Sequence, residues 1–380
     1  MDRLKTSHLH QEAAKPKTLP TPTPGFQIHF YSVTKMWDDE MTPNSTKSYD
    51  YDYDYGGGGP CEYSRHGAYF LPAAYSLLFV FGLVGNSLVF WVVLMCVKIQ
   101  SMTDVCLLNL AGADLLLLFS LPFLAHYSRD QWVFGRAMCR MVLSGYHIGF
   151  FSGIFFITLM SIDRYLAIVH AVYALKVRTR TYGALASFVV WMVSILAAFP
   201  EILYAEVKNE TQILCTSMNE QQNMTLFNIF KVNILGLLLP LIVMGFCYLM
   251  IMKKLASCRQ AQSKTIRLVV LVVVVFFCCW TPYNIVSFFK ALEILRIYSS
   301  CKSSKAIHVS LQITEAVAYT HTCLNPIIYV FVGRKFRRHL SRLLGRLPCA
   351  GCQALKKRLS PIVGSTVSQS TTVEDGQTGM

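Results

Sequence analysis

Seven stretches of mostly apolar residues, roughly 69–97, 104–128, 137–166, 182–204, 227–252, 267–292 and 306–331, punctuate this chain. Each has the length of about 20 residues or more that a helix needs to cross a bilayer. Inside hydrocarbon every backbone N–H and C=O must be satisfied within the structure, and a helix does so within its own segment. With 53% hydrophobic and only 15% charged residues the chain falls outside the range of soluble domains. The expected fold class is an all-α membrane protein, a seven-transmembrane helix bundle with its termini on opposite sides.

The net charge of +14 invites comparison with nucleic-acid binders, but its placement points to a membrane. Lys98, Lys176, Arg178, Arg180, Lys253, Lys254, Arg259, Lys264 and Arg267 fall in alternate gaps between spans, and Arg334, Lys335, Arg337 and Arg338 follow the last one. By the positive-inside rule these gaps and the C-terminus are expected to be cytoplasmic and the N-terminus extracellular. No nucleic-acid partner is expected. No positively charged region followed by a short apolar core opens the chain, so the first span is expected to act as the insertion signal.

Four of the thirteen cysteines, Cys61, Cys139, Cys215 and Cys301, fall on the side where oxidation is permitted, and four cysteines allow three pairings. No zinc spacing occurs among the others. Cys96, Cys106, Cys247, Cys278, Cys279 and Cys323 read as packing residues. Cys349 and Cys352, beyond the last span, are candidates for palmitoylation.

Domain organisation follows. Residues 1–66 carry Pro16, Pro20, Pro22 and Pro24, an acidic cluster and a Gly56–Gly59 run, a composition that cannot bury a core. Within them Tyr49, Tyr51, Tyr53 and Tyr55 alternate with Asp50, Asp52 and Asp54, which reads either as a solvated acidic linker or as a tyrosine-sulfation strip. Residues 67–332 form the membrane domain. Residues 333–345 read as a basic amphipathic helix on the inner leaflet, and 346–380 as a Ser/Thr-containing tail. Asn44, Asn209 and Asn223 each open an N-glycosylation sequon on the expected outer side.

Ionisable residues within spans are costly enough to be functional candidates. Asp114 lies inside the second span and Glu315 in the outer half of the seventh, about three turns from Pro326. Pro282 follows Trp280, and Pro326 follows Asn325 and precedes Tyr329; each proline removes a ladder bond and favours a bend. Pro240 does the same in the fifth span. The third span closes on Asp163-Arg164-Tyr165-Leu166-Ala167-Ile168-Val169-His170-Ala171. An ionised pair at a membrane edge is either an interfacial anchor or a docking element.

That nine-residue string resembles the signature of the CC chemokine receptors, within the rhodopsin-like G-protein-coupled receptors. The resemblance runs from about Cys61 into the tail, and Tyr173-Ala174-Leu175-Lys176 favours the CC over the CXC group. It implies disulfides Cys139–Cys215 and Cys61–Cys301, and sulfated Tyr49, Tyr51, Tyr53 and Tyr55 that capture a basic chemokine. Tyr75, Tyr146, Tyr283 and Glu315 match ligand-pocket residues. Asp114, Asn86 and Asn325 resemble a polar core that can hold an allosteric sodium ion, the one metal implied, and no other cofactor. Asp163, Arg164, Tyr165, Tyr248, Trp280, Pro282, Asn325, Pro326 and Tyr329 resemble the activation and coupling elements. The partners implied are an extracellular chemokine, a Gi-type heterotrimeric G protein, receptor kinases and arrestin, and membrane lipids, with the chain in the plasma membrane, without catalysis of its own, driving chemotaxis and calcium mobilisation. Ser120 stands for the family's threonine in the second-helix kink, Leu124 for a pocket tryptophan and His147 for a common phenylalanine. An atypical scavenging receptor without G-protein signalling is one alternative, and a transporter or channel another. The intact Asp163 to Val169 string disfavours the first, and the lack of an internal repeat the second.

Overall fold

The computed structural model describes residues 67–96, 99, 101–209, 213–216, 222–258, 264–297, 300–332 and 334–346. The expectations for Asn44, Tyr49, Tyr51, Tyr53, Tyr55, Cys61, Cys349 and Cys352 lie outside the described residues.

Helix α1 runs Gly67–Cys96, α2 Met102–Arg129, and α3 Gly135–Val169. Ser101 caps α2 with a full capping box: its Oγ accepts from the Asp104 amide while its own amide donates to Asp104 Oδ2. Next come α4 (Ala171–Val177), α5 (Arg180–Ala197) and α6 (Phe199–Tyr204). The apolar run read as one span over 182–204 is therefore two helices, parted at Ala198 just before Pro200, whose ring cannot continue the ladder inside a helix and suits a first turn.

The fifth span comprises α7 (Gln222–Asn233), a π-helical turn at Ile234–Leu238 and α8 (Leu239–Cys258). Pro240 supplies the reason for the wide turn. It has no amide to give, and the Leu239 N–H reaches back five residues to the Ile234 carbonyl. Helices α9 (Lys264–Ile294), α10 (Cys301–Val332) and α11 (Arg334–Arg346) complete the chain. Six spans among the described residues are long and apolar enough to cross a membrane, and the count reaches seven when α10 is taken together with α11, from which it is bent by 79°. The fold is a seven-helix bundle.

One element departs from the all-helical expectation. Strands β1 (Glu206–Asn209) and β2 (Ile213–Thr216) pair antiparallel, with Val207 opposite Cys215. The hairpin is fastened to the α2–α3 corner by the Cys139–Cys215 disulfide, by Trp132 N–H donating to Ile213 O at 2.9 Å, and by the Cys215 amide donating to Tyr127 Oη at 3.1 Å.

Polarity is inverted relative to a soluble domain. Phe81, Leu196, Ile242 and Phe331 face outward, whereas Asn86, Asp114, Asn284 and Asn325 are buried. Between them lies one continuous apolar core that includes Leu110, Phe151, Phe156, Phe276 and Trp280. Gly149 shows how close the packing is: a Cβ there would lie 2.8 Å from the Leu117 nitrogen and 2.9 Å from the Ala113 oxygen, so α2 and α3 touch backbone to backbone.

Candidate functional site

At the disulfide end of the bundle, Glu315 on α10 is 7% exposed, with Oε1 accepting from Tyr319 Oη at 2.6 Å and Oε2 from Tyr75 Oη at 3.5 Å. Both donors are neutral phenols, and among the described residues its carboxylate pairs with no cationic side chain. The residue spacing explains the nearer contact, because positions four apart share a helix face. The Tyr146 and Tyr75 rings lie 5.8 and 5.7 Å from that of Tyr319. A cavity opens beside them, lined by Tyr146, His147, Phe150, Asn228, Tyr283 and Ser287 among others. Tyr75, Tyr146, Tyr283 and Glu315 are thus brought to one region. Tyr319, which links three of them, was not foreseen.

Beneath this region Trp280 is fully buried against Phe150, with ring centroids 4.4 Å apart, and Tyr283 at 5.8 Å. Its Nε1 lies 3.2 Å from His321 Nδ1, which is also 2.6 Å from the Ala318 carbonyl. One imidazole nitrogen serves one of these partners at a time, as acceptor or as donor. His321 Nε2 stands 3.9 Å from Asp114 Oδ1, and Asn325 Nδ2 donates to Asp114 Oδ2 at 2.9 Å. Asn325 therefore meets Asp114 as expected. Asn86 bonds elsewhere: its Nδ2 donates to the carbonyls of Gly82 and Thr322, and among the described residues its buried Oδ1 has no hydrogen-bond partner. That orphaned oxygen and the Asp114 carboxylate are the donor atoms a sodium ion would need.

At the other end, Asp163 is fully buried and accepts from three side chains. Arg164 Nη2 donates to it at 2.5 Å and also bonds Thr103 Oγ1. Arg178 holds Asp163 with Nε at 2.6 Å and Nη2 at 3.2 Å, and Thr103 Oγ1 donates to it at 2.8 Å. Two arginines on one carboxylate form a charge-assisted cluster. Tyr248 Oη instead lies 3.4 Å from Ser161 Oγ, the buried Tyr329 Oη has no hydrogen-bond partner among the described residues, and Tyr165 Oη meets His170 Nε2 at 3.0 Å. Arg178 and Thr103 went unrecognised in the sequence.

A second buried charge cluster also escaped it. Glu201 on α6 has no exposed surface and accepts two bonds from Lys231 Nζ on α7, at 2.8 and 3.0 Å. His147 Nε2 is 3.7 Å from the same carboxylate. The signal was present as one acid and one base within two otherwise apolar spans.

Cys139–Cys215 is formed as expected, and Cys301 is also disulfide-bonded. Cys106, Cys247 and Cys279 are free and buried, while Cys278 is free and exposed. Asn209 is exposed at the end of β1; Asn223 is exposed in the first turn of α7, with Thr225 buried beneath it.

A buried carboxylate under an aromatic vestibule, a bent bundle and an arginine cluster at the opposite end define a rhodopsin-like receptor, and the family described as "7 transmembrane receptor (rhodopsin family)" matches residues 85–329. The chain is 46% identical to the C-C chemokine receptor type 8 of Homo sapiens over 291 residues, 75% of this chain and 82% of that one. It is 44% identical to the C-C chemokine receptor type 8 of Macaca mulatta over 314 residues, 80% and 88% of the two chains. Identity to the C-C chemokine receptor type 4 of Homo sapiens is 43% over 318 residues, 81% and 88%. The chain belongs to the CC chemokine receptor family; it is a multi-pass membrane receptor and not an enzyme.

Proposed function

We propose that this receptor binds a basic CC chemokine on the disulfide side of the plasma membrane and activates a Gi-type G protein on the other, driving chemotaxis and calcium mobilisation. The supporting observation is the run of contacts leading from the Glu315 end into the middle of the bundle: Glu315 to Tyr319, Tyr319 to Trp280 with ring centroids 6.2 Å apart, Trp280 to His321, His321 to Asp114, and Asp114 to Asn325. Opposite charges explain recognition, since an unneutralised buried carboxylate favours a cationic segment of the ligand. Within this reading the N-terminus is extracellular, Tyr49, Tyr51, Tyr53 and Tyr55 are sulfated to capture the chemokine, and Asn44, Asn209 and Asn223 carry glycans. Cys61 pairs with Cys301.

On the cytoplasmic side the cluster around Asp163 holds Arg164 until the outward swing of α9 about Pro282 frees it, with Tyr165, Tyr248, Tyr329 and Pro326 taking part. A sodium ion beside Asp114 would add positive charge there and favour the closed bundle. Helix α11, with Phe336 and Leu340 buried on one face, lies on the inner leaflet with lipid contacts and palmitoylated Cys349 and Cys352, and the tail engages receptor kinases and arrestin. Cells expressing the chain test this: labelled CC chemokines should bind at the surface and lower cAMP. Binding and internalisation with unchanged cAMP would favour a scavenging receptor, and no binding across the panel would refute the proposal.

A further inference from the structure

Two buried carboxylates stand behind the wall of the cavity, Glu315 by way of Tyr319, whose ring lies 5.8 Å from that of Tyr146, and Glu201 by way of His147, and their surroundings differ. Glu315 meets only the neutral phenols of Tyr75 and Tyr319. Glu201 stands behind His147, a residue of the cavity wall, and is held by both bonds from Lys231. His147 is fixed from its other side, where Nδ1 lies 2.9 Å from the Leu143 carbonyl, so that nitrogen carries the proton. The ammonium of Lys231 also faces the Phe151 ring at 5.7 Å. Removing one member of such a pair leaves an uncompensated buried charge.

We infer that Lys231 is a specificity-determining residue: by cancelling Glu201 it leaves Glu315, among the described residues, as the single anionic pole beside the cavity, and so fixes which end of a cationic ligand points to α10. The inference deepens the proposed chemokine reading by naming the ligand feature selected, one cationic group docked beside aromatic rings. Without Lys231 the cavity has two negative poles, one behind His147 on the α3 and α6 side and one on α10, and a cation has two orientations.

The test uses benzylammonium, a cation with one ring, and the full chain in detergent at pH 8, where an ordinary imidazole is uncharged. Binding to the folded state raises Tm, by about 3–6 °C at ten times the dissociation constant. Wild type should show this shift and Glu315→Gln should lose it. In Glu315→Gln/Lys231→Met the shift should return through Glu201, and adding Glu201→Gln should abolish it again. Should the Lys231→Met combination fail to fold, Glu201→Gln alone decides. There the bare Lys231 repels the probe and the shift shrinks, while Glu201→Gln/Lys231→Met restores it. A full shift in Glu315→Gln overturns the inference, as do equal shifts in wild type, Glu201→Gln and the double variant. A folded Glu315→Gln/Lys231→Met without any shift also overturns it. No chemokine enters this assay, so a failed chemokine panel would refute the proposed function and leave these shifts intact.

Discussion

Gly149 is the position where one methyl group should do most damage. An added Cβ would sit 2.8 Å from the Leu117 nitrogen, 2.9 Å from the Ala113 oxygen and 3.0 Å from the Leu117 Cβ. The first two are backbone atoms of α2, which cannot rotate away as a side chain can. Helices α2 and α3 must part by some half an ångström along a packed contact, and overpacking of this kind costs about 1–3 kcal/mol. Alanine also gains roughly 1 kcal/mol of helix propensity over glycine, so the comparison needs a glycine with room. Among the described residues Gly245 has nothing within 4 Å of its would-be Cβ, and Gly82 meets the Leu118 side chain, its Cδ atoms at 2.6 and 2.8 Å and its Cγ at 3.3 Å. Thermal unfolding of the detergent-solubilised full chain, followed with a thiol-reactive dye that reports exposure of the buried Cys106, Cys247 and Cys279, should rank Gly245→Ala highest, Gly82→Ala next and Gly149→Ala lowest. The gap between first and last is expected to be roughly 2–12 °C, from 2–4 °C per kcal/mol for chains of a few hundred residues. Gly149→Ala melting with Gly245→Ala would refute the backbone contact between α2 and α3. It would also undermine the placement of Asp114, which follows Ala113 directly and depends on that contact for its 2.9 Å bond from Asn325.

Arg164→Ala should leave surface expression and chemokine binding near wild type and reduce agonist-driven exchange to the basal level; undiminished cAMP inhibition would reject the role given to the Asp163 cluster. Replacing Cys139 or Cys215 by alanine opens a crosslink that spans 76 residues, worth at most about 4–5 kcal/mol by chain entropy, and should free the β1–β2 hairpin and cut chemokine binding. Unchanged binding and Tm would show that the hairpin is held without it. Changing Tyr49, Tyr51, Tyr53 and Tyr55 together to Phe removes any sulfate while keeping the rings. The association rate should fall and its salt dependence flatten, since charge of this kind acts over a Debye length of about 8 Å; an unchanged on-rate and salt slope with sulfation confirmed in the parent would make the strip a linker.

Much of the fold was legible because the deciding signals are local. A run of apolar residues marks a span whatever surrounds it, and the prolines in α9 and α10 mark bends from their own chemistry. The four pocket residues and the Asp163–Arg164 string could be named because residue identities at fixed spacing carry a family resemblance. Pairings that depend on how helices rotate were not legible. Glu201 and Lys231 lie thirty positions apart in sequence, and hydropathy averaged over a span hides a single charge. Asn86 and Asn325 both point inward, yet only the second reaches Asp114, a difference set by helix rotation that no spacing encodes. The register of β1 with β2 likewise rests on contacts with α3 and on the Cys139–Cys215 bond, whereas the break at Ala198 had a local signal in Pro200 that hydropathy averaged over the span hides.

If a chemokine at one end drives nucleotide exchange at the other, reconstituted components should reproduce that exchange. The full chain in nanodiscs with purified Gi heterotrimer is exposed to a panel of CC chemokines while GTPγS uptake is followed. At least one chemokine should accelerate uptake in wild type, the same chemokine should have no effect in Arg164→Ala, and Glu315→Gln should weaken the response. Chemokine that binds tightly to the reconstituted receptor without accelerating uptake would contradict this coupling.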